Sequence, residues 1–294
     1  MPGRIQIRKV VVGLILGLCF GFNAEGQPKR EPNLDARIAT ILQEHNVPGA
    51  GVALVTKDSA LWLGTLGLAD RQKNKAVNET TLFGVGSIAK TFLAAAMMVA
   101  QEQKLVALDD PIQKIIPSLK FTNRWTAAHP VRLVHLLEHT SGFDEAHFDL
   151  FAKANATTPF GEVMRHSRSA LDTRWPPGQY YAYNNFGAMV AAHCLEAAVN
   201  RPFETYMQEN LLLPLSMERA IYHPSDGTKP YLANGYAGAD ATEEPFPDLP
   251  QWPAGSLVTS ITDMAGFVQM FLNEGKHEGR QILTPLSIKK METP

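Results

Sequence analysis

A serine and a lysine three residues apart, Ser87 and Lys90, have the residue types and the spacing of a nucleophile with its base. On a helix that rises about 1.5 Å per residue, positions three apart lie on one face, so the Lys90 amine reaches the Ser87 hydroxyl. A serine is a weak nucleophile until a base removes its proton, and a lysine in apolar surroundings can become that base. The alternative is an ordinary helix N-cap at Ser87 with a solvated Lys90.

Tyr183 and Asn185 lie on the loop that enters the next apolar helix. A tyrosine hydroxyl near a lysine can relay protons, and an asparagine amide offers both a donor and an acceptor to a substrate amide. Aromatic packing and a helix cap would use the same residue types, and this alternative stays open. A second Ser-x-x-Lys begins at Ser287, but its lysines are surface-like and we expect no role for it.

His135, Glu138 and His139 form an H-x-x-E-H sequence, the motif of one class of zinc peptidases. On a helix the two histidines would lie one turn apart and could share a metal ion with a third, distant ligand. The alternative is a helix terminus at which the histidines satisfy backbone groups. The general candidates for a third ligand are Glu196, Glu204 and Glu209.

The elements that must position these residues begin with a predicted helix over 34–45. Two β-like runs, 49–55 and 60–68, flank a polar turn and predict a β-hairpin. A short β-like run at 255–258 and a helix from Thr262 follow much later in the chain. A hairpin alone is marginally stable, so the pattern indicates a larger antiparallel sheet flanked by helices.

Between these strand-forming parts the chain is mainly helical. A long apolar helix over 88–104 carries Lys90, and another over 186–199 follows the Tyr183 loop. The fold class is therefore α+β with an inserted helical subdomain. The expected division is a sheet subdomain of residues 27–75 and 250–294 and a helical subdomain of residues 76–249, with a loop-rich stretch over 222–253.

Composition and charge exclude several classes of protein. The 294 residues are 45% hydrophobic and 19% charged, which permits a sizeable core. A net charge of −2 gives no overall field that would attract nucleic acid or an anionic membrane. The two cysteines, Cys19 and Cys194, exclude a disulfide framework and a cysteine-based zinc site.

The first 26 residues have the pattern of a secretory signal peptide. Arg4, Arg8 and Lys9 precede an uncharged apolar run over 10–22, and small residues follow it. That run would be about 20 Å long as a helix, short of the roughly 30 Å of a hydrocarbon core. We therefore expect cleavage, no stable membrane insertion of the mature chain, and a secreted or periplasmic location.

Five segments occur in a characteristic order: Phe83-Gly84-Val85-Gly86-Ser87-Ile88-Ala89-Lys90, Leu108-Asp109-Asp110-Pro111, Leu136-Leu137-Glu138-His139-Thr140-Ser141-Gly142, Tyr183-Asn184-Asn185 and Pro253-Ala254-Gly255-Ser256. Together they resemble the serine β-lactamase and penicillin-binding-protein superfamily, in particular its branch of class C β-lactamases, D-alanyl-D-alanine carboxypeptidases and esterases. The resemblance covers residues 34–294. The middle of the Tyr-x-Asn element is Asn184, where the family usually has Ser or Ala.

This resemblance implies a β-lactamase/transpeptidase-like fold and a serine hydrolase that forms an acyl-enzyme at Ser87. Lys90 and Tyr183 would share the proton transfers, and Asn185 would bind the substrate amide. The substrate would be a small molecule or peptidoglycan-like: an ester, a β-lactam or a D-alanyl amide. No cofactor or metal is implied, and the turn that contains His139 would be structural.

The third motif of the family, Lys-Thr-Gly or His-x-Gly on an inner strand, is not found. His277-Glu278-Gly279 matches the letters, but it lies among polar loop residues and is interpreted as a coincidence. The missing strand would supply one of two oxyanion donors, and loss of such a donor costs about 2.7–4 kcal/mol. We expect the chain to be a fragment that lacks C-terminal strands. The alternative is a non-catalytic member that binds ligands or serves as a scaffold.

Overall fold

A computed structural model gives the fold and describes residues 34–146, 150–225, 227–238 and 242–293. The segment for which a signal peptide is predicted, residues 1–26, lies outside the described residues. The helices are α1 (Leu34–Glu44), α2 (Ala89–Glu102), α3 (Ile112–Ile115), α4 (Leu133–Leu137), α5 (Leu150–Lys153), α6 (Phe160–His166), α7 (Asn185–Val199), α8 (Phe203–Met207), α9 (Ile261–Leu272) and α10 (Pro285–Glu292). The strands are β1 (Gly49–Val55), β2 (Ala60–Asp70), β3 (Lys75–Ala76), β4 (Phe83–Gly84), β5 (Gly235–Ala237), β6 (Thr242–Glu244), β7 (Val258–Thr259), β8 (Lys276–His277) and β9 (Arg280–Gln281).

The N-terminal hairpin forms most of a three-stranded antiparallel sheet with the order β1-β2-β3. Its first pair sets Gly49 opposite Gly67. Helix α1 packs against β2, and α9 packs against β1. The approach of α9 is close, because a Cβ at Gly51 would lie 3.0 Å from the Cβ of Ile261. The predicted hairpin and the sheet with flanking helices are confirmed, while the predicted limits of the two subdomains stay predictions.

Helices α2 and α7 contact each other at the centre of the hydrophobic core. Both are apolar on most sides, as the sequence indicates, and most of their residues are buried. Cys194 of α7 is fully buried, and this burial raises the pKa of its thiol. None of the helices in the described ranges combines the length and apolarity needed to cross a bilayer.

A second, very short antiparallel pair joins distant parts of the chain. Strand β4 pairs with β7, so that Phe83 lies opposite Thr259 and Gly84 opposite Val258. The Val85 amide continues the contact by donating to the Leu257 carbonyl at 3.0 Å. The residues just before Ser87 are therefore held beside the segment that follows Pro253.

That later segment differs from its predicted course. The β-like run over 255–258 is a strand only from Val258, because Trp252–Ala254 forms a 3-10 turn. The amides of Gly255 and Ser256 bond back to the Trp252 carbonyl at 3.1 and 2.9 Å. The predicted loop over 222–253 contains a small hairpin, β5–β6.

The His277-Glu278-Gly279 sequence lies in a separate hairpin of two-residue strands, β8 and β9. Glu278 and Gly279 have φ angles of +47° and +78°, as in a tight hairpin turn. These residues form the end of an isolated hairpin and are not on a strand of the β1-β2-β3 sheet. The interpretation of this sequence as a coincidental match agrees with their position.

Ser287, for which no role was expected, makes a structural contact. It lies buried in the first turn of α10, and its hydroxyl donates to the Glu102 carboxylate at the end of α2. The Thr284 amide donates to the same carboxylate at 2.8 Å. The contact joins α10 to α2, whereas Lys290 of this second Ser-x-x-Lys is exposed.

Candidate active site

Ser87 lies in the single 3-10 turn Gly86–Ile88, which leads directly into α2. Gly86 has a φ of +54°, a left-handed conformation that glycine adopts without a Cβ clash. The N-cap of α2 is Ile88, and no side chain caps the helix, so the alternative of Ser87 as an N-cap is wrong. The Ser87 side chain is instead exposed at the positive end of the helix, which favours a developing anion.

Lys90 is half-buried and directed at Ser87. Its Nζ donates to the Ser87 Oγ at 3.0 Å and to the Ala254 carbonyl at 2.8 Å. The second contact holds the amine in place from outside its own helix, so the alternative of a freely solvated Lys90 is not what the structure shows. Ala254 is at the end of the 3-10 turn that precedes β7.

Tyr183 reaches the same serine oxygen from a third segment of the chain. Its hydroxyl lies 2.6 Å from the Ser87 Oγ, and its ring centroid lies 5.0 Å from the Lys90 Nζ. The side chain is 47% exposed, so the site opens to solvent on this side. The structure thus brings Ser87, Lys90 and Tyr183 together, as the sequence predicts.

The two asparagines after Tyr183 have different tasks. Asn184 is buried and caps α7, because its Oδ1 accepts from the Gly187 amide while its Nδ2 donates to the Phe143 carbonyl at 3.3 Å. The side-chain amide of Asn185 has no partner among the described residues, and only its backbone amide is engaged. Asn184 therefore fills the cap position, whereas the Asn185 side chain makes no such contact within the described residues.

His139 is a residue of the site that sequence reasoning considered only as a zinc ligand or as part of a structural turn. Its ring lies 4.5 Å from the Tyr183 ring, centroid to centroid, and its Nδ1 accepts from the Asn184 amide at 3.2 Å. Burial, together with the positive charge of Lys90, lowers the pKa of His139. A neutral imidazole is the form that can accept this bond. The H-x-x-E-H motif marked this residue, but for metal chemistry.

The zinc interpretation of that motif has no support in the geometry. Helix α4 ends at Leu137, and His139 has a left-handed φ of +58°, so the two histidines do not share one helical turn. The Nδ1 of His135 accepts from the Arg132 amide at 3.2 Å. Within the described ranges no three His, Cys, Asp or Glu residues cluster as metal ligands would. Each histidine instead satisfies a backbone group. The three candidate third ligands, Glu196, Glu204 and Glu209, belong to other contacts.

The arrangement can activate an exposed hydroxyl. One oxygen, the Ser87 Oγ, has two proton-carrying groups within hydrogen-bond distance, and each is held by a further contact. The Lys90 amine is fixed by Ala254, and the Tyr183 ring is fixed by His139. A nucleophile, a base and a group that orients the base are the components of nucleophilic catalysis.

The family model named Beta-lactamase matches residues 34–294, which is most of the chain. The chain therefore belongs to the β-lactamase family, as the resemblance of its motifs predicts. Its site residues Ser87, Lys90 and Tyr183 lie within the matched region.

Curated relatives give the range of activities found in similar proteins. The chain is 26% identical to Unguisins hydrolase ungD of Aspergillus violaceofuscus over 82% of its length and 45% of the relative. It is 23% identical to a β-lactamase of Pseudomonas fluorescens over 83% of its length and 65% of that enzyme. The chain thus spans about half to two thirds of the length of these relatives.

Solved structures support the fold. The octameric penicillin-binding protein homologue from Pyrococcus abyssi superposes with a TM-score of 0.72 at 24% identity. The match covers 89% of this chain and 59% of that one. The predicted β-lactamase/transpeptidase-like fold is confirmed for this member of the β-lactamase family.

Proposed function

We propose that the protein is a serine hydrolase that transfers an acyl group to water through an acyl-enzyme at Ser87. The observation that carries this proposal is the convergence of Lys90 and Tyr183 on one serine oxygen, at 3.0 and 2.6 Å. Both distances lie within reach for proton transfer. The family match and the hydrolases among its relatives support the same chemistry.

In the first half of the reaction, the Ser87 oxygen attacks a carbonyl carbon while its proton passes to the Lys90–Tyr183 pair. The Ala254 carbonyl accepts from the Lys90 Nζ and holds this nitrogen 3.0 Å from the Ser87 Oγ, within reach for proton transfer. The Ser87 backbone N–H, at the start of α2, stabilises the oxyanion. The pair then protonates the leaving alcohol or amine, and the acyl-enzyme remains.

In the second half, water attacks the ester carbonyl of the acyl-enzyme. The same pair accepts a proton from the water and returns one to the Ser87 oxygen as the carboxylic acid leaves. Asn185, whose side-chain amide has no described partner, binds the amide or ester group next to the scissile carbonyl. The cycle consumes one water, needs no cofactor and restores the serine.

The substrate belongs to one of three classes with a reactive carbonyl: an ester, a β-lactam or a D-alanyl amide. Relatives named as a β-lactamase and as a hydrolase fit this range. The same serine, lysine and tyrosine can serve all three, because a fold does not determine the substrate. Export to a secreted or periplasmic location, where such substrates occur, stays a prediction that rests on residues 1–26.

A fluorophosphonate probe tests the proposal, because it reacts covalently with activated serines. We expect labelling of the protein at Ser87, located by peptide mass spectrometry, and none in Ser87→Ala. Ser287→Ala is the matched control, since it removes the serine of the other Ser-x-x-Lys, and it should be labelled like the parent. Labelling that persists in Ser87→Ala would disprove the assignment.

A second candidate function is reversible ligand binding or scaffolding by a non-catalytic member. It is favoured by the position of His277-Glu278-Gly279, which matches the letters of the third family motif but lies in a hairpin separate from the β1-β2-β3 sheet. A fluorescent penicillin distinguishes the two functions. A stable mass increase at Ser87 after denaturation indicates acylation, whereas saturable binding that is lost on denaturation indicates the non-catalytic function.

A further inference from the structure

Glu145 is a half-buried carboxylate behind the site that touches two of the segments around Ser87. Its Oε2 accepts from the Asn185 amide at 2.7 Å. Its Oε1 accepts from the Gln251 Nε2 at 3.2 Å and from the Ala146 amide at 2.9 Å. The three donors lie 40, 106 and one residue away in sequence, so this one side chain connects separate parts of the chain.

The first of these contacts anchors the loop that carries Tyr183. Asn185 is the first residue of α7, and its amide is one of the four at a helix start that have no partner within the helix. The helix dipole makes this position favourable for a negative charge. Tyr183 lies two residues earlier, so the position of Asn185 determines how far Tyr183 reaches toward Ser87.

The second contact anchors the turn that holds Lys90. Gln251 is 6% exposed, and its carbonyl accepts from the Ala254 amide at 2.9 Å. The Ala254 carbonyl in turn accepts from the Lys90 Nζ at 2.8 Å. A chain of hydrogen bonds therefore runs from Glu145 through Gln251 and Ala254 to Lys90.

We infer that Glu145 is a positioning residue that ties the Tyr183 loop to the Ala254 turn and so sets the places of Tyr183 and Lys90 around the Ser87 oxygen. This inference rests on the proposed function for its catalytic consequence. Glu145 itself does not touch Ser87. The Tyr183 loop and the Ala254 turn, which it connects, are distant from each other in sequence. A rigid tie between them keeps both proton-carrying groups in place at once.

The carboxylate is suited to this task by its chemistry. An ionised carboxylate only accepts hydrogen bonds, so Glu145 can receive three N–H groups without presenting a donor to any of them. A glutamine of the same size would direct an N–H toward at least one of these donors. Glu145→Gln should therefore break the hydrogen bond from Gln251 or the one from the Asn185 amide, while it changes the shape of the side chain very little.

Crystal structures and single-turnover acylation rates of the whole protein test the inference. In Glu145→Gln we expect the distance from Tyr183 Oη to Ser87 Oγ, or from Lys90 Nζ to Ala254 O, to lengthen by about 1 Å. Acylation by an activated ester should then fall roughly 10–100-fold, the scale typical of such a misplacement. Glu162→Gln changes a half-buried carboxylate of α6 that pairs with His166; it is the matched control and should acylate like the parent.

A rescue variant separates positioning from a general loss of structure. Glu145→Gln combined with Gln251→Glu restores a donor–acceptor pair with the charge exchanged, and it should recover most of the lost acylation rate. Unchanged site distances in Glu145→Gln overturn the inference, and so does a parental acylation rate. If the parent itself is not acylated at Ser87, the proposed function fails, and the distances alone still decide whether Glu145 ties the two segments.

Discussion

At the scale of single residues, the site depends on how each group that touches Ser87 is held. Lys90 uses a backbone carbonyl from the Ala254 turn, and Tyr183 packs on the His139 ring. Neither group depends on surface ion pairs, which contribute little to stability. The Lys90 amine is therefore tested through its capacity to lose a proton, and Tyr183 through its hydroxyl while the packed ring is kept.

Lys90→Arg tests the amine as a base. Arginine keeps the charge and much of the length of lysine, but it does not lose its proton in proteins. We expect the single-turnover acylation rate with an activated ester to fall by about 10²–10⁴-fold, as for loss of a general base. A circular dichroism melt close to that of the parent serves as the folding control. A folded variant that acylates at the parent rate would show that Lys90 is not the base.

Tyr183→Phe removes one oxygen and keeps the ring that packs on His139. We expect acylation to slow by about 10²–10⁴-fold, because the contact of 2.6 Å to Ser87 is lost. Tyr181→Phe is the matched control: Tyr181 also lies against His139, at 5.9 Å between centroids, but its side chain is 69% exposed. Equal rates in the two variants would contradict a role for the Tyr183 hydroxyl.

At the scale of elements, the site lies where three short segments end against α2. These are the 3-10 turn before α2, the loop before α7 and the turn at Trp252–Ala254. The β4–β7 pair holds the first beside the third. The Asn184 cap and the Glu145 carboxylate hold the second. Loops positioned by rigid helices commonly carry catalytic residues.

Asn184→Ala tests the cap of α7. The variant loses a helix cap and leaves the Phe143 and Asp144 carbonyls without their buried donor, so we expect the free energy of unfolding to fall by about 1–3 kcal/mol. Acylation should also slow, since Tyr183 is adjacent. Thr284→Ala removes the cap of α10, and urea unfolding should show a loss of stability without slower acylation. A parental acylation rate in Asn184→Ala would argue against this coupling.

At the scale of the whole molecule, one hydrophobic core extends from α2 and α7 to α9 and α10. Beside this core lies His193 of α7, a half-buried residue whose ring stacks on Phe160 with centroids 3.5 Å apart. Burial lowers the pKa of His193 to about 4. Proton binding at this position therefore opposes folding.

The stability of the protein should consequently depend on pH through His193. Its pKa is lower in the folded state than the usual 6.5, so its contribution is complete above pH 6.5 and is lost as the pH falls toward 4. At about 1.4 kcal/mol per pKa unit, the loss reaches about 3 kcal/mol near pH 4. The free energy of unfolding, measured with urea at several pH values between 4 and 7, should change with pH with a smaller slope in His193→Gln. The exposed His45→Gln should keep the parental slope, and identical slopes in all three proteins would contradict this assignment.

The sequence by itself determined the local features of this protein. The spacing of Ser87 and Lys90, the hairpin over β1 and β2 and the apolar helices α2 and α7 follow from periodicity within one element, which a short window of residues records. The motifs in their order also determined the family. The predicted start of a strand at Gly255 was wrong, because the amides of Gly255 and Ser256 bond back to the Trp252 carbonyl and form a turn there.

The tertiary structure decided the distances of the contacts between distant residues and added contacts that no motif implied. The resemblance implied that Tyr183 meets Ser87 across 96 residues, but not that Ala254 reaches Lys90 across 164. No periodicity encodes such contacts, because they depend on the packing of whole elements and on the closure of long loops. The same packing made Asn184 the cap, placed His139 against Tyr183 and gave Glu145 its three donors. Their tasks depend on partners from other segments, which the sequence alone does not specify.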